Sequence, residues 1–339
     1  DVRLRRLRRD LEAVPRSGPI GAPAQGGLRC RGSRCSAPRH TTAGLAVITL
    51  DREVWQAHEA EHVERAQRLT QARRERTAQG RTHAVEDFLF TYYPLKPALL
   101  ARWSPGAGFA LADARGSRFE EARWFALHDG AAHLDVAAYL SDRGSAVRFH
   151  HTLLSAIDSR PPRFDCFGLH EWAMVYGEAE GQHRHELPLR LSEAETDAVV
   201  ESHKIVCSHI DAFRFFTPPA VGFNTMTPTR ETQVEMDQGG CLHVGMDLVK
   251  TSIHLGPAVP GDLALDVVEL ARDIRELDMR ASPYDVSRYG LSAVTIETAD
   301  GKAEYVAAQR ALSQRAEPLR TRLRDVCGAM LAVSPSRLP

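Results

Sequence analysis

The chain lacks the sequence motifs of several large enzyme classes. Its 339 residues contain no GxGxxG after a predicted strand, no GxxxxGK[ST] and no GxSxG. Each of these motifs builds a glycine-rich turn around a phosphate or a nucleophile. Their absence weighs against dinucleotide redox chemistry, nucleotide hydrolysis of the P-loop type and α/β-hydrolase chemistry.

Paired cysteines and long apolar runs are also missing. The six cysteines form no CxxC pair, and in a chain of this length they indicate reduced thiols. No apolar run approaches the roughly 20 residues that cross a bilayer, and the first 44 residues contain no apolar segment typical of a signal peptide. We therefore expect a cytoplasmic protein with no membrane partner.

Positive charge is scarce outside the N-terminal segment. Residues 1–44 carry ten arginines against three acids, so the remainder carries a net charge of −8 in a chain whose total is −1. This segment is rich in Arg, Gly and Pro and has no hydrophobic period, which is typical of disorder. We predict a disordered tail over residues 1–44 that is not part of the fold, either a basic nucleic-acid arm or a non-native extension.

Hydrophobic periodicity from Leu45 onward predicts a mainly α (α+β) protein. We expect a single globular catalytic domain over residues 45–332, built of helices with a small β-sheet. Ser192 and Glu195 form the capping-box pattern that starts a helix. Strands are predicted at 109–111, at 123–127 and near 294–297. Helices are predicted at 51–79, 133–157, 192–203, 241–255, 262–280 and 301–331.

The pattern HExxH occurs at His58–His62. On a helix it places two imidazoles one turn apart with a carboxylate between them, a spacing that suits zinc. Here the surrounding helix is strongly charged and no third ligand follows at short range. We interpret this motif as a solvated helix surface.

Seven of the fifteen histidines lie between His150 and His209, among carboxylates and aromatic rings. Burying such polar groups costs several kcal/mol unless they are paired, so their density predicts an active site. His170 and Glu171 lie within an apolar helical segment. Burial there would raise the pKa of the Glu171 carboxyl, as a general acid or base requires, unless an arginine such as Arg148 or Arg163 pairs with it.

A second polar segment follows at 203–216. On an extended strand, side chains alternate, which would place His209, Asp211 and Phe213 on one side. A histidine and an aspartate arranged in this way can bind a metal, or the acid can orient the imidazole. Further along, Arg272 and Arg280 either form ion pairs on a solvent-exposed helix face or bind a carboxylate or phosphate of a substrate.

The segments FGLHEWAMVY (167–176), ESHKIVCSHIDAFRFFTPPA (201–220) and ELARDIRELDMRASPYD (269–285) resemble a family of bacterial proteins commonly labelled 3-methyladenine DNA glycosylase. The resemblance runs from about Val47 to Leu319. It implies a hydrolase of base excision repair that cleaves the N-glycosidic bond of 3-methyladenine in alkylated DNA without a cofactor. Such an enzyme turns the damaged base out of the duplex into a pocket.

The resemblance also implies roles for individual side chains. Glu171 or Asp211 would activate water, with His170 and His209 beside them. An alkylated base is cationic, so electron-rich rings attract it. The candidate rings are those of Trp172, Tyr176, Phe213 and Phe215, and the candidate anion-binding side chains are Arg272 and Arg280.

Two other functions remain open from the residues alone. The first is a metal-dependent enzyme that acts on a small molecule, because mixed imidazole and carboxylate ligands suit one divalent ion, zinc or non-haem iron. The second is a non-catalytic helical module whose histidines are satisfied core groups. The candidate metal ligands are His170, His203, His209, Asp211 and His243.

Overall fold

Helices form 57% of this protein and strands only 6%, so the predicted mainly α fold with a small sheet is confirmed. A computed structural model describes residues 41–42, 45–178, 183 and 186–333. These residues belong to one compact unit. Most of the predicted N-terminal tail, together with residues 334–339, lies outside the described residues.

Three of the described helices begin at a residue whose side chain caps the first turn: Asp135, Ser192 and Thr298. The Asp135 side chain accepts a hydrogen bond from Ala138 N, and Ser192 and Glu195 form the predicted capping box. None of the described helices is long and apolar enough to span a membrane. The helices are α1 (Arg52–Ala78), α2 (Phe88–Tyr92), α3 (Pro97–Leu100), α4 (Val136–Asp158), α5 (Leu169–Ala173), α6 (Glu193–Glu201), α7 (Ile210–Phe213), α8 (Gln233–Met236), α9 (Leu242–Leu255), α10 (Gly261–Ala281) and α11 (Ala299–Leu331).

Four short strands form one sheet in the order β3-β4-β6-β5, and two shorter ones form a separate antiparallel pair. In the sheet, β3 runs parallel to β4, whereas β6 is antiparallel to both of its neighbours. The strands are β1 (Thr41–Thr42), β2 (Leu45–Ala46), β3 (Ile48–Leu50), β4 (Phe109–Leu111), β5 (Phe125–His128) and β6 (Ala131–Leu134).

Two boundary predictions were wrong. His133 does not start a helix, because it pairs with Ala110 inside the sheet, and α4 begins only at Val136. Residues 294–297 form no strand. Val294 and Ile296 are buried in alternation, but this segment turns on itself, with Thr298 N bonding to Thr295 O, before α11 begins. Alternating burial in a turn therefore imitates a strand pattern.

The helices α9, α10 and α11 pack on one another and on α4 around the main hydrophobic core. On α10, apolar side chains recur every three or four residues and are buried, each contributing roughly 1.5–3 kcal/mol. Arg275 and Asp278 are buried beside this stripe, where they need charged partners. The stripe consists of Leu263, Val267, Leu270, Ile274 and Leu277.

Candidate active site

Three histidine rings from three separate segments lie side by side in the core. His170 belongs to α5, His209 directly precedes α7, and His243 lies in the first turn of α9. The ring centroids of His170 and His243 are 4.5 Å apart, and those of His243 and His209 are 5.4 Å apart. Residues separated by up to 73 positions therefore form one imidazole row, with His243 in the middle.

An aspartate lies at each end of the row. His170 Nε2 is 3.0 Å from Asp278 Oδ1, and His209 Nε2 is 3.4 Å from Asp247 Oδ2. Asp278 is fully buried on α10, and Asp247 lies one helical turn after His243 on α9. Each outer imidazole therefore has a carboxylate as its charged partner.

These pairs determine the charge of the histidines. Burial opposes protonation of His170 and His209, but Asp278 and Asp247 outweigh it and raise the pKa of each imidazole. Burial and the neighbouring His170 lower the pKa of His243 to about 3. His243 is therefore neutral at pH 7, with a ring nitrogen lone pair available for a ligand.

Buried atoms at both ends of the row lack aligned hydrogen bonds, and at the far end these are both ring nitrogens of His209. His170 Nε2 and Asp278 Oδ1 are close, yet neither forms a hydrogen bond of good geometry, and both are buried. Buried polar atoms are normally hydrogen-bonded, and an exception calls for an explanation such as an ion. Together with His243 they offer three ligand atoms that all lie within 4.8 Å of one another.

Glu171 is paired with an arginine, but not with Arg148 or Arg163. Its Oε1 accepts a hydrogen bond of 2.9 Å from Arg275 Nη1, and the same nitrogen donates to Asp278 Oδ2 at 2.9 Å. The Arg275 guanidinium lies 4.0 Å from the centroid of the Phe88 ring. Arg275 therefore connects Glu171 to the acid that faces His170.

Asp211 forms ion pairs with three cations, and two of them, Arg230 and Lys250, also donate hydrogen bonds to it. Arg230 binds both of its oxygens, and Arg214 Nε and Lys250 Nζ each lie at 3.1 Å. Burial alone would raise the pKa of Asp211, but the hydrogen bond from Arg230 and the charge of Lys250 lower it. This carboxylate stays ionised and is poorly suited to take up a proton as a base.

A narrow cleft, whose empty volume of about 380 Å³ includes open solvent, reaches this group of residues. Aromatic rings of Phe88, Tyr92, Tyr93 and Phe215 form part of its wall. Such a pocket combines apolar walls with a few convergent polar groups, as small-molecule sites do. The polar side chains that line it are Glu171, His209, Asp211, His243, Asp247 and Arg275.

The expected extended segment around His209 is instead the short helix α7. Asp211 and Phe213 are helical and His209 precedes them, so they do not alternate along one strand face. Pro218 and Pro219 follow closely and start a 3-10 helix. The pocket still receives His209 and Asp211, because the turn of α7 directs both inward.

Among the aromatic candidates only Phe215 lines the pocket. Trp172 is fully buried in the core, where its Nε1 donates to Ala281 O at 2.9 Å. Tyr176 donates its hydroxyl to Glu201 Oε1. Phe213 packs against Phe216. The aromatic side chains of these segments therefore lie mainly outside the pocket lining. The other aromatic rings in the pocket wall come from α2 and Tyr93.

Three further candidates also lie outside the pocket lining. His203 Nδ1 donates to Val199 O at 2.6 Å, within its own helical turn. Arg272 is half-exposed beside Asp273, and Arg280 donates to Ser292 O at 2.8 Å. Each of these side chains is satisfied by a local partner.

Sequence reasoning missed Asp247, Arg275 and Asp278 as site residues. A signal was available for two of them, because Arg275 and Asp278 interrupt the apolar side of α10 with buried charges. A buried charge on an amphipathic helix requires a partner from another element. Asp247 carried a weaker signal, its spacing of four residues from His243 on α9.

No protein-family profile, curated protein or solved structure matches this chain. The geometry of the pocket is therefore the basis for inferring its function.

Proposed function

We propose that this protein is a metal-dependent enzyme that acts on a small molecule. His170, His243 and Asp278 would hold one divalent ion, zinc or non-haem iron. One observation carries the proposal: three ligand atoms lie within 4.8 Å of one another, and the two that belong to buried His170 and Asp278 lack an aligned hydrogen bond. A tetrahedral zinc ion keeps its ligand atoms roughly 3.3 Å apart, from bond lengths of about 2 Å, so small side-chain rotations would close the site.

The ligand types fit this assignment. Two imidazoles and one carboxylate suit zinc and also match the ligand set of non-haem iron enzymes. Three protein ligands leave at least one coordination position for water or substrate, as in catalytic sites. When bound, such an ion polarises a substrate oxygen and makes a bound water more acidic.

Glu171 and Arg275 would orient the carboxylate ligand. Arg275 Nη1 donates to Asp278 Oδ2, which leaves Oδ1 directed toward His170. The same nitrogen donates a second hydrogen bond, of 2.9 Å, to Glu171 Oε1. Partners of this kind position a ligand, and their loss typically lowers metal affinity about 10–100-fold.

His209 and Asp247 would handle a proton beside the ion. Tyr93 donates its hydroxyl to Asp247 Oδ1 at 2.9 Å, so Oδ2 remains for His209. His209 lines the pocket next to His243, and Asp247 would stabilise its protonated form. It can donate a proton to a leaving group of the substrate and recover one afterwards, which is general acid–base catalysis.

The direct test is elemental analysis of the purified full-length chain after reconstitution with zinc or iron(II). We expect about one ion per chain, its near-complete loss in His243→Ala, and full retention in His203→Gln. His203 is a matched control because it is a half-buried histidine outside the pocket. Circular dichroism establishes that each variant is folded. Negligible metal in the wild-type chain would refute the proposal.

A second candidate is the glycosylase activity that the sequence resemblance implies. One observation favours it: the Tyr92 ring lines the pocket, where a planar cationic base could bind against an electron-rich face. The measurement is release of free 3-methyladenine from alkylated DNA. Glu171→Gln should abolish release if Glu171 activates the water, and wild-type release by Glu171→Gln would exclude that role.

A further inference from the structure

Three cations surround one buried carboxylate, Asp211, which lines the pocket. The side chain of Asp211 is only 3% exposed, whereas those of Arg214, Arg230 and Lys250 are 46%, 47% and 30% exposed. Each cation therefore points one part of its charged group inward to Asp211 and presents the rest to solvent. We call these three cations the basic rim.

The basic rim has more positive charge than its acidic neighbours neutralise. Asp211 is the acid that all three cations share. Asp247 is the next acid, 3.8 Å from Lys250 Nζ, but it is already paired with His209 and hydrogen-bonded by Tyr93. A surplus of exposed positive charge is thus concentrated at one point of a protein whose chain beyond residue 44 is acidic.

The basic rim adjoins the pocket directly. Asp211, Tyr92 and Phe215 line the same pocket as His243. Arg214 Nη2 donates to the Tyr92 hydroxyl at 3.3 Å, and its guanidinium lies 4.5 Å from the centroid of the Phe215 ring. A group bound by the basic rim would therefore be at the entrance, with the remainder of the same molecule directed toward the histidine row.

We propose that the basic rim binds the phosphate group of a small phosphorylated substrate whose remaining part enters the pocket. This inference rests on the proposed function, because it specifies the substrate class of the same site. Three separate donors match the three terminal oxygens of a phosphate monoester, whereas a carboxylate offers only two. Guanidinium groups bind phosphate bidentately, and lysine adds a point charge.

The charge of the body favours a small phosphate ester over nucleic acid. Duplex DNA requires a protein to neutralise several phosphates along its backbone. Beyond residue 44 the chain carries a net charge of −8, so repulsion around the basic rim would oppose a polyanion but would affect a single phosphate much less.

The test is calorimetric titration of the purified full-length chain with phenyl phosphate. We expect saturable binding that weakens at least about tenfold in Arg230→Gln, because a hydrogen bond to a charged group is lost. Asp211→Asn should instead strengthen binding, since the buried carboxylate competes with phosphate for the same donors. Arg322→Gln is the matched control: Arg322 is 43% exposed and paired with Asp262 and Asp266, away from the pocket.

Opposite outcomes would overturn the proposal. These are no binding by the wild-type chain, equal weakening in Arg322→Gln, or weaker binding in folded Asp211→Asn. Binding of a duplex oligonucleotide but not of phenyl phosphate would also overturn it, in favour of nucleic acid. The near-isosteric Asp211→Asn keeps the test decisive if Arg230→Gln does not fold.

Metal content, measured on the same samples, separates this proposal from the proposed function. Phosphate affinities that follow the expected order in a chain without metal would support the basic rim and refute the metal centre. A full complement of metal without phosphate binding would support the metal centre and refute the basic rim.

Discussion

Two histidine-bearing regions of this protein contrast sharply. The HExxH motif on α1 has a spacing that suits zinc, yet it builds no site. His62 is buried, with Nε2 donating to Leu100 O at 2.8 Å, and Glu59 is paired with Arg118. The interpretation as a solvated surface was therefore wrong for His62, which is a core histidine held through Nε2. The pocket histidines share no local motif but lie together.

The difference is one of environment rather than spacing. At His62 burial is the dominant effect and lowers the pKa of the imidazole. At His170 and His209, an aspartate on a different helix outweighs the effect of burial and raises the pKa of the imidazole. A histidine becomes chemically useful here when the fold supplies it with a carboxylate and a route to the pocket.

The strongest test of this comparison is to remove the buried acid that faces His170, which lies behind the pocket lining. Asp278→Asn leaves His170 and Arg275 with one buried partner fewer, and we expect a loss of about 3–5 kcal/mol in the free energy of unfolding. Asp273→Asn on the same helix removes a half-exposed partner of Arg315 and should cost at most about 1 kcal/mol. Urea unfolding measures both, and equal losses would contradict the assigned role of burial.

A second prediction concerns pH. Burial and His254 hold the pKa of His150 at about 4, against 6.5 for an ordinary histidine. As pH falls, the unfolded chain therefore binds this proton first. The contribution of neutral His150 to the free energy of unfolding is complete above pH 6.5. It decreases by about 3 kcal/mol as the pH falls toward 4.

Unfolding free energies at pH 7 and pH 4.5 measure this loss. His150→Gln should flatten the dependence, whereas His151→Gln, which replaces the half-buried neighbour, should keep the wild-type slope. A wild-type slope in His150→Gln would show that other groups cause the acid sensitivity.

The smallest expected effect compares the two histidines of HExxH. His62→Ala leaves the Leu100 carbonyl without its donor and should cost about 2 kcal/mol. His58 is not buried, so His58→Ala should change stability by no more than about 0.5 kcal/mol. Thermal unfolding distinguishes the two. Loss of bound metal in either variant would contradict this interpretation and would indicate that HExxH binds the metal.

Much of the helical architecture was predictable because it depends on local signals. The capping box at Ser192 and Glu195 and the apolar period of α10 define their helices without tertiary information. The prediction failed at residues 294–297, where alternating apolar side chains are buried by a turn. Alternating apolar residues indicate that every second side chain is buried. A strand produces this pattern, and so does a turn such as the one at residues 294–297.

The site was predictable in part. His170, Glu171, His209 and Asp211 meet at or beside the pocket as the density of polar residues suggested, and His243 joins them. The density could not distinguish these residues from His203, which also has polar neighbours in the sequence but bonds back to the last turn of α6. Proximity in sequence says nothing about which side of a turn faces the core.

The sequence by itself determined that the chain would be mainly helical and that imidazoles and acids would be buried among apolar side chains, since both follow from periodicity and composition. Only the tertiary structure decided which acid faces which histidine. Asp278, Arg275 and Asp247 come from α9 and α10, whose packing against α5 brings distant charges within contact distance. Electrostatic partners depend on distances in space, and those exist only after the helices have packed.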